Sequence, residues 1–401
     1  MVITDETKQL GVDEQNIEMD EWNADAIDDS NPLDENIVVY SRDWTVETIF
    51  SQIESGHIDL TPEFQRRNAW TDKKRSMLIE SLIMGIPVPE IILAEDSKKK
   101  KSFIVIDGKQ RLLTIAGFMN NEKYKYWNNN KLTGLRLKED LNRSTYEDIS
   151  KNLKYTNDKT ALLNADIRCT IISNYKKDDI LYNIFYRLNT TSVPLSSQEL
   201  RQVLNRGDFA KYLFNITNKP QAIHKIMGLE EGSDSRFRDI EILLRFLLIN
   251  IFGKNYVGNM KKYLDDNMKE VTEKWSDYKN QIEKLYIEFS DAIEKLKLIF
   301  EEHNIGRKYT KGKYSNILNK WLLETQICCF KDISKDSIAT TSVQNFRTAF
   351  EKLCDEDMEF RSSLEYSQKD LAQYKIRFSK FGKIVTDKFN ITNIKYPISM
   401  D

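Results

Sequence analysis

The 401-residue sequence has little histidine, little cysteine and no long apolar run, and each shortage excludes a class of protein. Three histidines, His57, His224 and His303, lie far apart, with no HExxH pair and no Cys/His cluster. A histidine-built zinc site or an HNH-type nuclease centre therefore has no obvious ligand set. Four cysteines, Cys169, Cys328, Cys329 and Cys354, form no CxxC pair, and a chain this long can bury a core without disulfides. They read as small buried apolar residues of a protein in a reducing cytoplasm. The most apolar stretch, around Ile242–Phe252, is interrupted by Arg245 and falls short of the about 20 residues of a membrane span. The N-terminus opens acidic, without the basic and apolar regions of a secretory signal. No internal repeat is present.

What the sequence has in quantity is charge. Lys plus Arg number 60 and Asp plus Glu 62, a net of −2 that argues against a strongly basic nucleic-acid binder. The distribution changes that reading. Residues 1–40 hold 12 acidic side chains and one basic one, Lys8. The remainder holds 59 basic and 50 acidic side chains, a net of +9. An acidic tail precedes a mildly basic body able to carry phosphate sites.

The tail, 1–36, is low in aliphatic residues and is expected to be disordered. Order should start near Ile37–Tyr40. A helix capped by Thr45 follows, with Val46, Ile49, Phe50 and Ile53 on one face and Gly56 at its end. Thr71 starts a second helix that buries Leu78, Ile79, Leu82 and Ile83 before Gly85. Strands are predicted at 90–94 and 103–106 around a charged turn, 96–101, and again at 167–172. Residues 120–160 are polar and rich in Asn and Lys, the pattern of an insertion. From about residue 196 nearly everything reads as helix, opening on a Ser196/Glu199 capping box. Apolar residues over 271–302 are spaced 3,4,3,4, which fits either a coiled-coil dimer seam or one helix packed inside a domain. The expectation is α+β: an N-terminal domain with a small mixed sheet, 37–200, followed by a mostly α-helical domain, 201–401.

Three stretches could carry chemistry. In Asp107-Gly108-Lys109-Gln110-Arg111 a strand turns sharply into a helix. Gly108 relieves the backbone, the new helix offers its free N–H groups, and Lys109 and Arg111 add cations suited to phosphate. Asp107 could hold a divalent metal or orient water. The bland alternative is a tight turn with solvated bases. In Phe64-Gln65-Arg66-Arg67-Asn68-Ala69-Trp70, two arginines and flanking aromatics could bind phosphates and stack a base, or merely anchor a loop. In Ile184-Phe185-Tyr186-Arg187-Leu188-Asn189, Asn189 could simply close a helix.

Together and in this order, the stretches resemble one family: the N-terminal domain of GmrSD-type, modification-dependent restriction enzymes, also called the domain of unknown function 262. The resemblance rests on Phe64-Gln65-Arg66 with Trp70, on Leu78 to Pro89, on Val105-Ile106-Asp107-Gly108-Lys109-Gln110-Arg111-Leu112, and on Ile184 to Leu200. It spans roughly 37–250 and implies a ParB/sulfiredoxin-like fold that binds and hydrolyses an NTP. By position it implies Asp107, Gln110 and Arg111 as catalytic residues and Asp107 as the Mg ligand. By position too, Arg66, Gly108, Arg111 and Asn189 would hold the phosphates; from the residues' own chemistry, Lys109 would join them and Arg66, Arg67 and Trp70 would touch DNA. Lys109 replaces the family's first Gln. No HNH-like constellation follows in the C-terminal half.

The expected function is thus a nucleotide-binding, NTP-hydrolysing, DNA-associated protein of phage defence that lacks a recognisable nuclease half. Its expected partners are DNA, a separate nuclease or defence protein, and a second copy met through the 271–302 helix. The alternatives are a non-catalytic nucleotide- or DNA-binding regulator that recruits a nuclease, and a metal-dependent nuclease using Glu63, Asp107, Arg66 and Arg67.

Overall fold

The structure is a computed structural model. It describes residues 37–60, 70–96, 99–175, 181 and 184, and from 197 onward all but 206, 230, 231, 233, 235, 341, 342, 366–369, 390, 392, 393 and 401. The chain divides into two compact units at residues 194/195.

The first unit is built on a four-stranded mixed sheet in the order β1-β4-β2-β3. β1 (Val38–Thr45) runs antiparallel to β4 (Asp166–Ser173), and β4 runs parallel to β2 (Ile91–Glu95). β2 pairs antiparallel with β3 (Phe103–Asp107), with a register shift between Ile92 and Leu93. Two of the predicted caps are present, and the third, the Ser196/Glu199 box, involves Ser196, which lies outside the described residues. Thr45 Oγ1 accepts from the Thr48 amide and starts α1 (Val46–Glu54). Thr71 caps α2 (Asp72–Ile83). α3 (Lys109–Met119) leaves directly from β3. One face of the sheet packs Ile91, Leu93, Val105, Cys169 and Ile171 against these helices.

Residues 120–160 differ from the insertion their composition suggests. Tyr126, Trp127, Leu132, Leu135, Leu141 and Ile149 are buried in the same core. The stretch includes α4 (Tyr146–Lys151), and α5 (Thr156–Asn164) continues from it. α2 holds it through a polar stripe. Asp72 accepts from the Asn128 and Asn129 amides, and Ser76 Oγ from Thr133. Glu80 Oε1 accepts three consecutive amides, Arg136, Leu137 and Lys138, at 3.0, 2.7 and 2.9 Å. Polar side chains spaced four apart thus replace the hydrogen bonds that an irregular backbone cannot make within itself.

The second unit is helical: α6 (Ser197–Leu204), α7 (Asp208–Thr217), α8 (Ala222–Ile226), α9 (Arg238–Phe252), α10 (Met260–Glu273), α11 (Trp275–Lys297), α12 (Lys320–Phe330), α13 (Lys335–Thr340), α14 (Val343–Glu356), α15 (Met358–Glu365) and α16 (Leu371–Phe389). One two-stranded ribbon, β5 (Tyr309–Thr310) with β6 (Lys313–Tyr314), interrupts them. The 3,4-spaced residues from Trp275 to Leu296 lie in one helix, α11, with Ile299 just past its end. Ile282, Leu285, Phe289, Ala292 and Leu296 are buried within the unit, which is how a packed helix uses that spacing. Among the described residues, no helix is long and apolar enough to cross a membrane. The molecule is α+β.

Candidate phosphate-binding turn

The candidate site grows from the end of β3. Asp107 pairs with Ile92 across the β2–β3 ladder, and the chain then reverses at Gly108, with φ 92° and ψ 7°. That left-handed conformation favours glycine. A Cβ there would also sit 2.9 Å from Ile91 Cγ1 and 3.3 Å from Ile91 Cα. The Leu112 amide closes the first helical turn onto the Gly108 carbonyl at 3.0 Å. No side chain caps α3. Its first amides and the positive end of its dipole therefore remain suited to an anion.

Arg111 is the strut of the turn. Its Nη2 donates to Asp107 Oδ2 at 2.7 Å and to the Glu90 carbonyl at 2.8 Å. The Arg111 side chain is 12% exposed and Asp107 40% exposed, so the arginine is held inside and the carboxylate looks outward. Asp107 Oδ2 is occupied by this pair. Arg111 Nε and Gln110 Oε1 are buried without a hydrogen-bond partner, two polar atoms whose cost a rearrangement or a ligand would relieve.

Glu90 is a neighbour that sequence reasoning missed. Thr170 Oγ1 donates to Glu90 Oε2 at 2.7 Å and lies 3.1 Å from Ser41 Oγ. Thr170 has one hydroxyl proton, which Glu90 takes, so Ser41 is the donor in the second bond. This polar lane crosses β1, β4 and the start of β2 and reaches the residue whose carbonyl holds Arg111. No short motif announces it, since Ser41, Glu90 and Thr170 meet only through strand order.

Of the remaining candidates, Trp70 is half-buried against the core, with Lys74 Nζ 4.7 Å over its ring. Arg66, Arg67 and Asn189 lie outside the described residues, as does Glu63. The four cysteines are buried and free. Burial pushes the Cys169 and Cys354 thiols up to about 12 and raises Cys328 and Cys329 as well, so none is a ready thiolate. His224 is buried between the Gln221 amide and the Asp239 carboxylate. Among the described residues, no group of three or more His, Cys, Asp or Glu side chains could hold a metal.

A β-strand that ends in a carboxylate, a left-handed glycine, and an uncapped helix with two bases in its first turn give this α+β domain a turn whose geometry suits an anion. Residues 46–204 match the family model described as GmrSD restriction endonuclease, N-terminal domain. The match spans the motifs whose order implied this family. No curated protein and no solved structure matches the chain.

Proposed function

We propose that the first unit binds the phosphates of a nucleoside triphosphate at the Asp107–Arg111 turn and works in a phage-defence restriction system. The observation that carries this is Gly108: its left-handed backbone, closed against Ile91, presents an uncapped helix N-terminus with Lys109 and Arg111 beside it. Gly108 allows close approach, Lys109 supplies a second cation, and Arg111 positions Asp107. Gln110 and Asn189 belong to the site by the family pattern. Asp107 Oδ1 would hold Mg2+. Magnesium keeps several waters and needs only one or two protein carboxylates when the nucleotide supplies the rest, so a cluster of three is not required. The bound ion would neutralise phosphate charge, and water attack on the terminal phosphate would be the chemistry.

A second reading, binding without turnover, is favoured by one observation: Arg111 already engages one oxygen of Asp107. That pair makes the carboxylate a weaker metal ligand and the arginine a weaker phosphate grip. A nuclease reading has less support, because the described residues offer no three-ligand metal group.

The test is titration of the protein with ATP, GTP, CTP and UTP, with and without DNA, measuring binding, phosphate release and plasmid nicking. Phosphate release that disappears in Asp107→Ala and Arg111→Ala supports hydrolysis. Binding without release supports the regulator, and metal-dependent nicking without any NTP supports the nuclease. Absence of nucleotide binding in the folded wild type overturns the proposal.

A further inference from the structure

The β2–β3 hairpin has two ends. One holds Asp107 and the turn described above. The other carries the sequence Lys98-Lys99-Lys100-Lys101, which the nucleotide reading leaves without a task. The hairpin strands are five residues each, so the two ends stand roughly 15 Å apart at the rise of an extended chain.

Two features set this turn apart from an ordinary solvated charge run. The first is its pairing. Elsewhere in the unit Lys123 pairs with Glu54, Lys138 with Asp158, Lys151 with Glu147 and Lys154 with Asp140. Lys99, Lys100 and Lys101 are three successive cations with no carboxylate within ion-pair distance among the described residues. Lys100 and Lys101 are exposed, and Lys99 Nζ donates to a neutral acceptor, the Gly56 carbonyl, at 2.9 Å. Like charges on consecutive residues repel.

The second feature is rigidity. The Asp96 amide donates to the Ser102 carbonyl at 2.8 Å, and the Ser102 amide donates back to Lys99. Lys101 holds a left-handed backbone, φ 59°. The Phe103 amide donates to the His57 carbonyl at 2.7 Å, and Ile58 bridges to Phe103, so a second segment clamps the base of the turn. Backbone bonds at the base of the turn keep the three lysines together on one surface, which suits a polyanion.

We propose that Lys99, Lys100 and Lys101 form a contact surface for the phosphate backbone of duplex DNA, at the opposite end of the hairpin from the nucleotide turn. This goes beyond the proposed nucleotide site and does not depend on it. Residues 96–102 include no apolar side chain, so counterion release rather than apolar burial would supply the affinity. Recognition of this kind is independent of base sequence. It would place DNA on a surface of the same domain without blocking phosphate access at Gly108.

The experiment measures binding of a 30-base-pair duplex as a function of salt, for the full chain and for Lys99→Gln/Lys100→Gln/Lys101→Gln. Each lost phosphate contact should reduce the slope of log affinity against log salt by about 0.9, so the triple variant should lose about 2.7. Between 50 and 200 mM salt, that makes the wild type's fall in affinity about forty-fold steeper than the variant's. The variant with all three changed to Arg should keep the wild-type slope, which separates lost charge from a damaged fold. Binding of each NTP should be equal in all three proteins, so failure of the nucleotide reading leaves this result interpretable. An unchanged slope in the folded Gln variant overturns the proposal, as does a wild type that binds anionic lipid vesicles but no duplex.

Discussion

The two units bury charge for opposite reasons. In the first unit, Glu80 of α2 satisfies backbone: one oxygen holds three successive amides of an irregular segment. In one buried cluster of the helical unit, charges satisfy one another. Arg245 Nη2 donates to Glu324 Oε2 at 2.9 Å and to the Tyr374 hydroxyl, which in turn donates to Glu324 at 2.8 Å. Burial raises the Tyr374 pKa far above its ordinary value, so the hydroxyl stays a donor. Lys320 pairs with Glu241, and the Arg245 guanidinium lies 3.8 Å over the Trp321 ring. Helices bond their own backbones, so the Arg245 cluster is closed by side chains, while Arg377 and Lys295 reach carbonyls near helix ends. Around a small sheet, long irregular connections need side chains to finish their backbone bonds. The same residue type thus has a replaceable partner in one unit and an irreplaceable one in the other.

The largest expected effects test that difference. Glu324→Leu alone should destabilise the helical unit by about 3–5 kcal/mol, because it removes the carboxylate bonded to buried Arg245 and leaves Glu241, at 3.8 Å, as a longer ion-pair partner. Adding Arg245→Met should recover much of the loss, since a buried pair can be exchanged for apolar packing. Glu80→Leu should cost about 2–4 kcal/mol. No second apolar substitution should recover it, because its partners are peptide N–H groups. Glu80→Gln, which keeps an acceptor oxygen, should recover part. Chemical denaturation with hydrogen exchange at 132–141 reads both cases. Rescue of Glu80→Leu by an apolar partner, or no coupling between Arg245 and Glu324, would erase the distinction.

Gly108→Ala comes next. The left-handed φ costs about 1–2 kcal/mol for an L-residue, and the 2.9 Å approach to Ile91 adds about 1–3 kcal/mol of overpacking. The variant should lose nucleotide binding while the helical unit melts as before. Gly85, also at positive φ but with open space around its missing Cβ, is the control: Gly85→Ala should carry the φ cost alone. Equal effects at the two glycines would mean that the Ile91 contact does not matter.

How far the sequence foretold this follows from the range of the interactions involved. Caps are local, so Thr45 and Thr71 were legible, and so was the Asp107–Arg111 turn, where five successive residues carry the geometry. Strand placements came within a residue or two for the same reason. Residues 120–160 were misread because their polar composition is balanced by Asp72, Ser76 and Glu80, some 56 positions away in sequence. The Arg111–Asp107 pair spans the strand–helix turn, so helical spacing did not announce it, and it tempers the view of Arg111 as a free phosphate grip. Glu90 and Thr170 were not legible either, because nothing short of the β4–β2 register brings them together.

The smallest effect probes whether a local device in the first unit stays local. Thr145 and Asp148 form a reciprocal capping box at the start of α4: the Asp148 amide donates to Thr145 Oγ1 at 3.1 Å, and the Thr145 amide donates to Asp148 Oδ2 at 2.9 Å. That backbone hydrogen bond, with the Thr145 hydroxyl, holds the Asp148 carboxyl below its ordinary pKa. A depressed folded-state value stabilises above the unfolded value of about 3.9 and is lost as pH falls through the folded one. Thr145→Ala should therefore cost about 1 kcal/mol at neutral pH. The gap from wild type should narrow as pH drops below about 4, because protonated Asp148 no longer gains from the box. Most of α4's stability comes from Ile149 in the core, so the helix should persist. Loss of the entire 120–160 segment on this single change would mean that its anchorage on α2 contributes far less than three amides on one carboxylate imply.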